Sequence, residues 1–198
     1  MSEETQMSKL YFRHGAMNSG KSTALLQVAF NYEERGQNVL IAKPAVDTKG
    51  DRNIVSRLGV VRDVDFLILP NDNLRELVSS FSAKQKVDCL LIDEAQFLTR
   101  DQVDQAMEIA VLDNVPVLAY GIRTDFKTNG FPGSIRLLEI AHSLEELKTI
   151  CRCGKKAMFN ARLKNGKFIF DGDQVAIDGD QVTYESLCPN CYFEKLGK

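Results

Sequence analysis

The chain has 198 residues, 44% of them hydrophobic and 26% charged, with a formal net charge of −2. That length suits one large domain or a main domain with a small appendage, and the apolar fraction is enough to bury a core. Near-neutral charge excludes a global field that would pull the protein onto nucleic acid or an acidic membrane. No apolar run approaches the roughly 18 residues needed to cross a bilayer, and the opening Met-Ser-Glu-Glu-Thr-Gln is polar and acidic where a signal peptide is basic and then apolar. A soluble, cytoplasmic protein without nucleic-acid or membrane partners is expected.

In chain order, the extended apolar run Leu10-Tyr11-Phe12 predicts a first strand. It leads into Gly15, Ala16, Met17, Asn18, Ser19, Gly20, Lys21 and Ser22, which fit the phosphate-loop pattern G-x-x-x-x-G-K-[ST]. A helix over Ser22 to Arg35 follows, with Leu25, Leu26, Val28, Ala29 and Tyr32 apolar and Gly36 ending it. Between a strand and a helix, the backbone N–H groups of such a loop point at phosphate oxygens. Lys21 then reaches the terminal phosphates and the Ser22 hydroxyl ligates Mg²⁺, so a nucleoside triphosphate is the expected ligand.

Asn38 to Ala42 reads as a second buried strand. Pro44 to Arg62 is polar, carries Gly50 and Gly59 and has no sustained periodicity, so it reads as a long loop of the kind that forms lids. A short strand at Phe66–Leu69, a helix begun near Asp72, a strand at Val87–Ile92, a helix at Asp101–Leu112 and a strand at Val115–Tyr120 come next. Cys89 within its apolar strand is an ordinary buried thiol. His142 falls at the end of a helix, and Ser143-Leu-Glu-Glu146 has capping-box spacing and predicts a further short helix. Strands alternating with helices give an α/β fold, a parallel sheet of the phosphate-loop NTPase type with helices on both faces.

Past residue 150 the character changes to Gly- and Asp-rich turns, with Lys164-Asn-Gly166 as a hairpin signal and Phe168–Phe170 as a strand. The expected organisation is a nucleotide-binding domain over 1–149 and a small C-terminal zinc-binding domain over 150–198.

Two further groups carry chemistry. Leu90-Leu-Ile-Asp93-Glu94 is an apolar strand delivering carboxylates at its C-terminal edge, where ligands bind in open parallel sheets. Asp93 is the candidate Mg²⁺ holder, and Glu94 can face the γ-phosphate and take a proton from an attacking oxygen. Cys151-x-Cys153 and Cys188-x-x-Cys191 offer four thiolates to a tetrahedral, structural Zn²⁺, which would tie the ends of a segment too small to hold a core itself. Arg152, Lys155, Lys156, Arg162 and Lys164 lie near these cysteines, but Asp171, Asp173, Asp178, Asp180 and Glu185 offset them, which disfavours nucleic acid as a partner.

The phosphate loop, Asp93-Glu-Ala-Gln-Phe97, Tyr120-Gly-Ile-Arg-Thr-Asp-Phe126 with Phe131-Pro-Gly-Ser134, and the cysteine pairs, in this order over residues 8 to 193, closely resemble the tetrameric, zinc-containing thymidine kinases. The resemblance implies transfer of the γ-phosphoryl group of ATP to the 5′-hydroxyl of thymidine, with deoxyuridine a second acceptor, in a homotetramer inhibited by its triphosphate end product. It places Glu94 on the family's proton acceptor and Asp93, Glu94, Ala95 and Gln96 beside the phosphate loop at the ATP site. Met17, Phe97, Ile122, Phe126 and Phe131 fall on the apolar lining around the thymine. Asn160, Ala176, Ile177 and Tyr184 fall on the zinc-domain loop that closes over the nucleoside. Asp47 to Gly59 resembles the flexible lid, with Lys49 where many members have Arg, and Asp178-Gly179-Asp180 departs from the usual Gly-Gly before the Tyr. Core packing is the competing role for the aromatics, less so for Phe126 and Phe131 in their Gly-, Asn- and Pro-containing loop.

Overall fold

The computed structural model describes residues 7–45, 52–56, 59–174 and 182–198. In chain order β1 (Leu10–His14), α1 (Lys21–Glu33), β2 (Val39–Pro44), β3 (Asn53–Val55), β4 (Val61–Asp63), β5 (Phe66–Ile68), α2 (Leu74–Ser82), β6 (Cys89–Ile92), α3 (Arg100–Val111), β7 (Val117–Gly121), α4 (Pro132–Ile140) and β8 (Ser143–Glu146) make up the larger part. Six of these strands form one parallel sheet in the order β5-β2-β6-β7-β1-β8.

β2, β5, β6 and β7 are apolar at nearly every position because both faces of the sheet are covered, whereas edge strand β8 reads Ser-Leu-Glu-Glu. Along β2, Leu40 and Ala42 turn to one face while Val39 and Ile41 turn to the other; in β6, Leu90 and Ile92 part from Cys89 and Leu91 in the same way. The first face is packed by Leu74 and Val78 of α2, by Val103, Ala106 and Ile109 of α3 and by Leu137 of α4. Leu25 and Ala29 of α1 pack the second. Helix starts follow local chemistry. The Asn73 side chain accepts the Glu76 N–H at the head of α2, and Thr99 with Gln102 forms a reciprocal capping box for α3.

The Ser143-Leu-Glu-Glu146 signal does not make a helix. These residues are β8, paired with Tyr11–His14 of β1, and the flanking His142 and Leu147 N–H groups donate to Leu10 and His14 carbonyls. The free edge of β1 offers a row of unpaired backbone groups, and satisfying them outweighs a local cap. The segment from Pro44 to Arg62 is likewise not a bare loop, since β3 and β4 pair as an antiparallel hairpin within it. Buried Ile54 joins the α1-side core, and Arg62 makes a bidentate ion pair with Glu33 of α1 at 2.8 and 2.5 Å. Three-residue strands are too short to show a period. Most of the Asp47–Gly59 stretch, Lys49 included, lies outside the described residues.

The C-terminal part contains β9 (Thr149–Ile150), β10 (Lys156–Ala157), β11 (Phe159–Lys164), β12 (Lys167–Ile169), β13 (Val182–Leu187) and α5 (Pro189–Leu196). β12-β11-β13 is an antiparallel sheet, and Asn165 and Gly166 at φ 50° and 75° turn the β11–β12 hairpin as Lys164-Asn-Gly166 predicts. Contrary to expectation, this part holds a small core: Ala157, Ala161, Leu187 and Tyr192 are buried, with Phe159, Phe168 and Phe170 packed against them. Four aromatic rings supply the apolar area that so short a segment would otherwise lack.

Phe131 is the N-cap of α4, with Pro132 at the first helical position. The next residue, Gly133, lets α4 touch a 3₁₀ turn over Ala95–Phe97, since a Cβ at 133 would lie 2.6 Å from the Ala95 carbonyl oxygen and 2.7 Å from that of Leu98. Backbone cannot yield as a side chain can. Gly133→Ala should therefore lower stability by about 1–3 kcal/mol despite alanine's better helix propensity. A urea midpoint unchanged or raised would show that α4 shifts at no cost.

Candidate functional site

The carboxyl ends of β1, β7 and β6 lie side by side, so the segments leaving them meet. After β1 the chain turns through Asn18 and Gly20, at φ 68° and 80°, and starts α1 at Lys21. Gly15 is glycine for space, because a Cβ there would strike the Leu147 carbonyl and Ser19. The first N–H groups of α1 have no intrahelical acceptor and face the mouth of the loop. Lys21 donates to the Gly15 and Ala16 carbonyls at 3.3 and 3.0 Å, and burial depresses its proton affinity.

After β6 come the carboxylates. Asp93 is 5% exposed and accepts the Ser22 hydroxyl at 3.2 Å. Its carboxyl is pushed up to about 6, by burial first and then by the neighbouring Glu94 charge. A buried carboxylate beside a second one, with a hydroxyl at hydrogen-bond distance, is the donor set that a hard cation such as Mg²⁺ relieves. Glu94 has left-handed backbone at φ 49° and ψ 37°, uncommon for a side chain of this size. Its carboxylate accepts the Gln96 side-chain amide.

The phosphate loop and Glu94 open into a cavity of roughly 570 Å³, which Asp93 does not line. At one end lie Met17, Asn18, Gly20, Lys21, Ser22 and Thr23; elsewhere the wall is Phe97, Ile122, Phe126, Phe131, Asn160 and Tyr184. Phe97 and Phe131 meet edge to face at 5.5 Å. Phe126 is held from behind, where the Arg162 guanidinium lies 3.7 Å from its ring centroid and Tyr192 donates to its carbonyl at 2.7 Å. Arg162, 3% exposed, also donates to the Tyr184 hydroxyl and to the Asp173 and Gln174 carbonyls.

One face of the β11–β13 pair is turned to the phosphate loop. Asn160 and Ser186 are cross-strand partners, and both grip Met17: the Asn160 side chain accepts its N–H at 2.7 Å and the Ser186 hydroxyl donates to its carbonyl. Asn160 also donates to the Thr124 carbonyl at 3.2 Å.

Beyond this face the thiols of Cys151, Cys153, Cys188 and Cys191 lie within 4.8 Å of one another. Gly154 at φ 84° turns the chain behind Cys153, while Cys188 caps α5 and Cys191 falls in its first turn, which aims both thiols the same way. Cys151, although buried, is brought down to about 7 by the backbone N–H groups of Cys153 and Cys188. Cys191 is pushed up to about 12 by its hydrogen bonds with Cys153, Cys188 and Cys151. Four sulfurs within this distance, the Cys153 and Cys188 pair at 3.5 Å, fit a zinc ion, whose four tetrahedral bonds of about 2.3 Å set sulfurs roughly 3.8 Å apart.

The family model for thymidine kinase matches residues 8–192. A thymidine kinase of Idiomarina loihiensis is 49% identical over 193 residues, covering 96% of this chain and 99% of the relative. One of Mannheimia succiniciproducens is 46% identical, covering 97% and 98%. The chain belongs to the thymidine kinase family. Among solved structures, the Legionella pneumophila ATPase DotB matches at 13% identity and a TM-score of 0.40, over 76% of this chain and 44% of that one.

Against the positions that the thymidine kinase resemblance names, Met17, Asn18, Gly20, Lys21, Ser22, Glu94, Gln96, Phe97, Ile122, Phe126, Phe131, Asn160 and Tyr184 all line the one cavity. Gly15, Ala16, Ser19, Asp93 and Ala95 stand behind it; Ala95 packs in the core with Leu98 and Leu137. Ala176, Ile177 and the Asp178–Asp180 departure lie outside the described residues. Thr23, Val55, Asp125 and Gln174 line the cavity without a sequence signal, although Thr23 could have been read from its place after Ser22. His142 accepts the Leu10 N–H through Nδ1 and so serves the fold, while His14 is buried with its ring against Phe12.

Arg162 is the main omission, hidden among basic residues that looked like surface. Arg162→Ala strands two carbonyls and a hydroxyl and should cost about 2–3 kcal/mol in chemical denaturation, the scale of hydrogen bonds to a charged donor. A change under about 0.5 kcal/mol would mean that the buried guanidinium contributes little to this wall.

Proposed function

We propose that this chain transfers the γ-phosphoryl group of ATP to the 5′-hydroxyl of thymidine, giving dTMP and ADP, and accepts deoxyuridine as well. One observation carries the reading: a phosphate loop, a carboxylate at a strand end and an aromatic wall open into a single cavity. Family membership supplies the substrate. Phosphoryl transfer needs in-line positioning and neutralised charge more than covalent help. Lys21 and the N–H groups of the loop and α1 take the phosphates, and an incoming phosphate gives the Lys21 ammonium a better acceptor than the two carbonyls it now holds. Glu94 orients the hydroxyl and receives its proton. Ser22 and Asp93 would hold Mg²⁺, which supplies charge neutralisation when bound.

Met17, Phe97, Ile122, Phe126 and Phe131 would enclose the base, and the segment carrying Ala176 and Ile177 would cover it with Asn160 and Tyr184. A structural zinc on Cys151, Cys153, Cys188 and Cys191 would fix the start of α5 and the end of β13. We place the division between the two domains near Thr149. Homotetramer formation and end-product inhibition rest on the family resemblance, and a cytoplasmic location on cysteines that cluster as a metal site instead of spreading as a disulfide framework. The expectation that nucleic acid is not a partner draws support from three of the five basic residues named near the cysteines. Arg152 pairs with Glu185 at 2.7 Å, Lys156 pairs with Glu146, and Arg162 is buried.

With ATP and Mg²⁺, thymidine should be the best of a nucleoside panel, deoxyuridine accepted, and deoxycytidine and purine deoxynucleosides poor. Deoxycytidine reverses donor and acceptor at two ring positions and would leave buried groups unpaired, a mismatch that can cost several orders of magnitude. Glu94→Gln should keep ATP binding while kcat falls about 10²-fold or more. Turnover indifferent to every nucleoside, or kcat within a factor of three, would overturn the reading.

Metal analysis of protein purified without chelator should return one zinc per chain, and Cys188→Ser should abolish it. The same substitution should expose the C-terminal part to limited proteolysis while ATP binding persists. Zinc-free protein with an unchanged digestion pattern would refute a structural metal.

A further inference from the structure

We propose that Gln96 is a positioning residue for the phosphoryl transfer, its side-chain amide holding the Glu94 carboxylate while Gly121 and Ile122 hold the amide. The inference rests on the reading of Glu94 as the proton acceptor.

Gln96 lies in the 3₁₀ turn directly after Glu94 and is 2% exposed. Its Nε2 donates to Glu94 Oε2, and its Oε1 accepts the Ile122 N–H at 3.2 Å. These two partners fix the orientation of the amide without ambiguity. A backbone N–H can only donate and an ionised carboxylate can only accept, so turning the amide over would break both bonds at once. The approach is also tight. A Cβ on Gly121 would stand 2.7 Å from Gln96 Oε1, so the glycine ending β7 is what admits the amide.

The consequence for Glu94 is geometric. A glutamate has three side-chain torsions, and this one shares its cavity with the Lys21 ammonium, which attracts it. Unrestrained, the carboxylate could swing onto the ammonium and form an ion pair that removes both groups from their tasks. The amide anchors Oε2 and leaves Oε1 as the oxygen to meet a hydroxyl. Because Ile122 also lines the cavity, the anchor ties the carboxylate to the wall that the nucleoside would touch.

The test is a double-mutant cycle read in steady-state kinetics with ATP and thymidine. Gln96→Met removes both polar ends at similar length. It should lower kcat about 10-fold while both KM values stay within about threefold, the pattern of a contact that matters in the transition state. In a Glu94→Gln background the same change should cost less than about twofold, because the residue it acts through is gone. Gln96→Glu keeps an acceptor for the Ile122 N–H but sets a second carboxyl against Glu94, so it should reproduce the loss in kcat where both are ionised. The loss should shrink at lower pH, where one proton shared by the pair restores a donor. Equal losses in both backgrounds would mark a purely structural role and overturn the proposal, as would native kcat in Gln96→Met and Gln96→Glu. If Glu94→Gln is impaired while Gln96→Met is not, the positioning role fails and the proton acceptor stands. If Glu94→Gln itself retains turnover, both assignments fall.

Discussion

Asp93 sits almost out of water, one residue from a second carboxylate, at the end of a strand flanked by two others. Two acids so placed repel, and the low dielectric around them magnifies the repulsion. The surroundings answer that repulsion piece by piece. The Ser22 hydroxyl and the Glu94 N–H donate to Asp93, Lys21 supplies a nearby positive charge, and the left-handed turn at Glu94 carries its side chain away toward the cavity. What remains uncompensated is an affinity for positive charge at one spot, beside a loop whose N–H groups favour negative charge. A metal-bound polyphosphate satisfies both demands together.

The aromatic half of the cavity is built differently. Segments leaving the parallel sheet contribute Phe97, Ile122 and Phe131, while Asn160 and Tyr184 belong to the antiparallel β11–β13 pair and Phe126 stacks on its Arg162. One side of that pair packs Ala161 and Leu187 into the small C-terminal core; the other presents Asn160, Arg162, Tyr184 and Ser186 to the larger part. The two halves therefore meet through polar groups with defined partners. Polar contacts of this kind specify a geometry more sharply than apolar area of equal size.

Much of this was legible in the chain. β2, β6 and β7 are apolar runs because a doubly covered parallel sheet demands it, and the phosphate loop announces itself by spacing. The cysteine pairs do so by clustering. The failures share a cause. β8 exists because β1 has an open edge, β3 and β4 because Ile54 can reach the α1 side of the core, and the C-terminal core because rings far apart in sequence converge. Arg162 belongs with these: its charge is local information, whereas its burial depends on Phe126, Tyr184 and two carbonyls contributed by other segments. Gln96 gave no sign of its second partner, the Ile122 N–H, which depends on β6 and β7 lying side by side.

β13 and the residue that follows it gather three of these dependencies within five positions. Tyr184 lines the cavity, Ser186 grips the phosphate loop and Cys188 joins the thiol cluster, each two residues from the last. Extended chain repeats every second residue, so Tyr184 and Ser186 share one face of β13, while Cys188, just past the strand as the N-cap of α5, packs in the C-terminal cluster with Leu187. Removing or inserting a single residue between them would turn the following side chains to the opposite face, detaching one site from the next without altering any residue's identity. Length in this strand is thus under tighter constraint than composition: Thr183 is exposed and can vary, while the count from Tyr184 to Cys188 cannot.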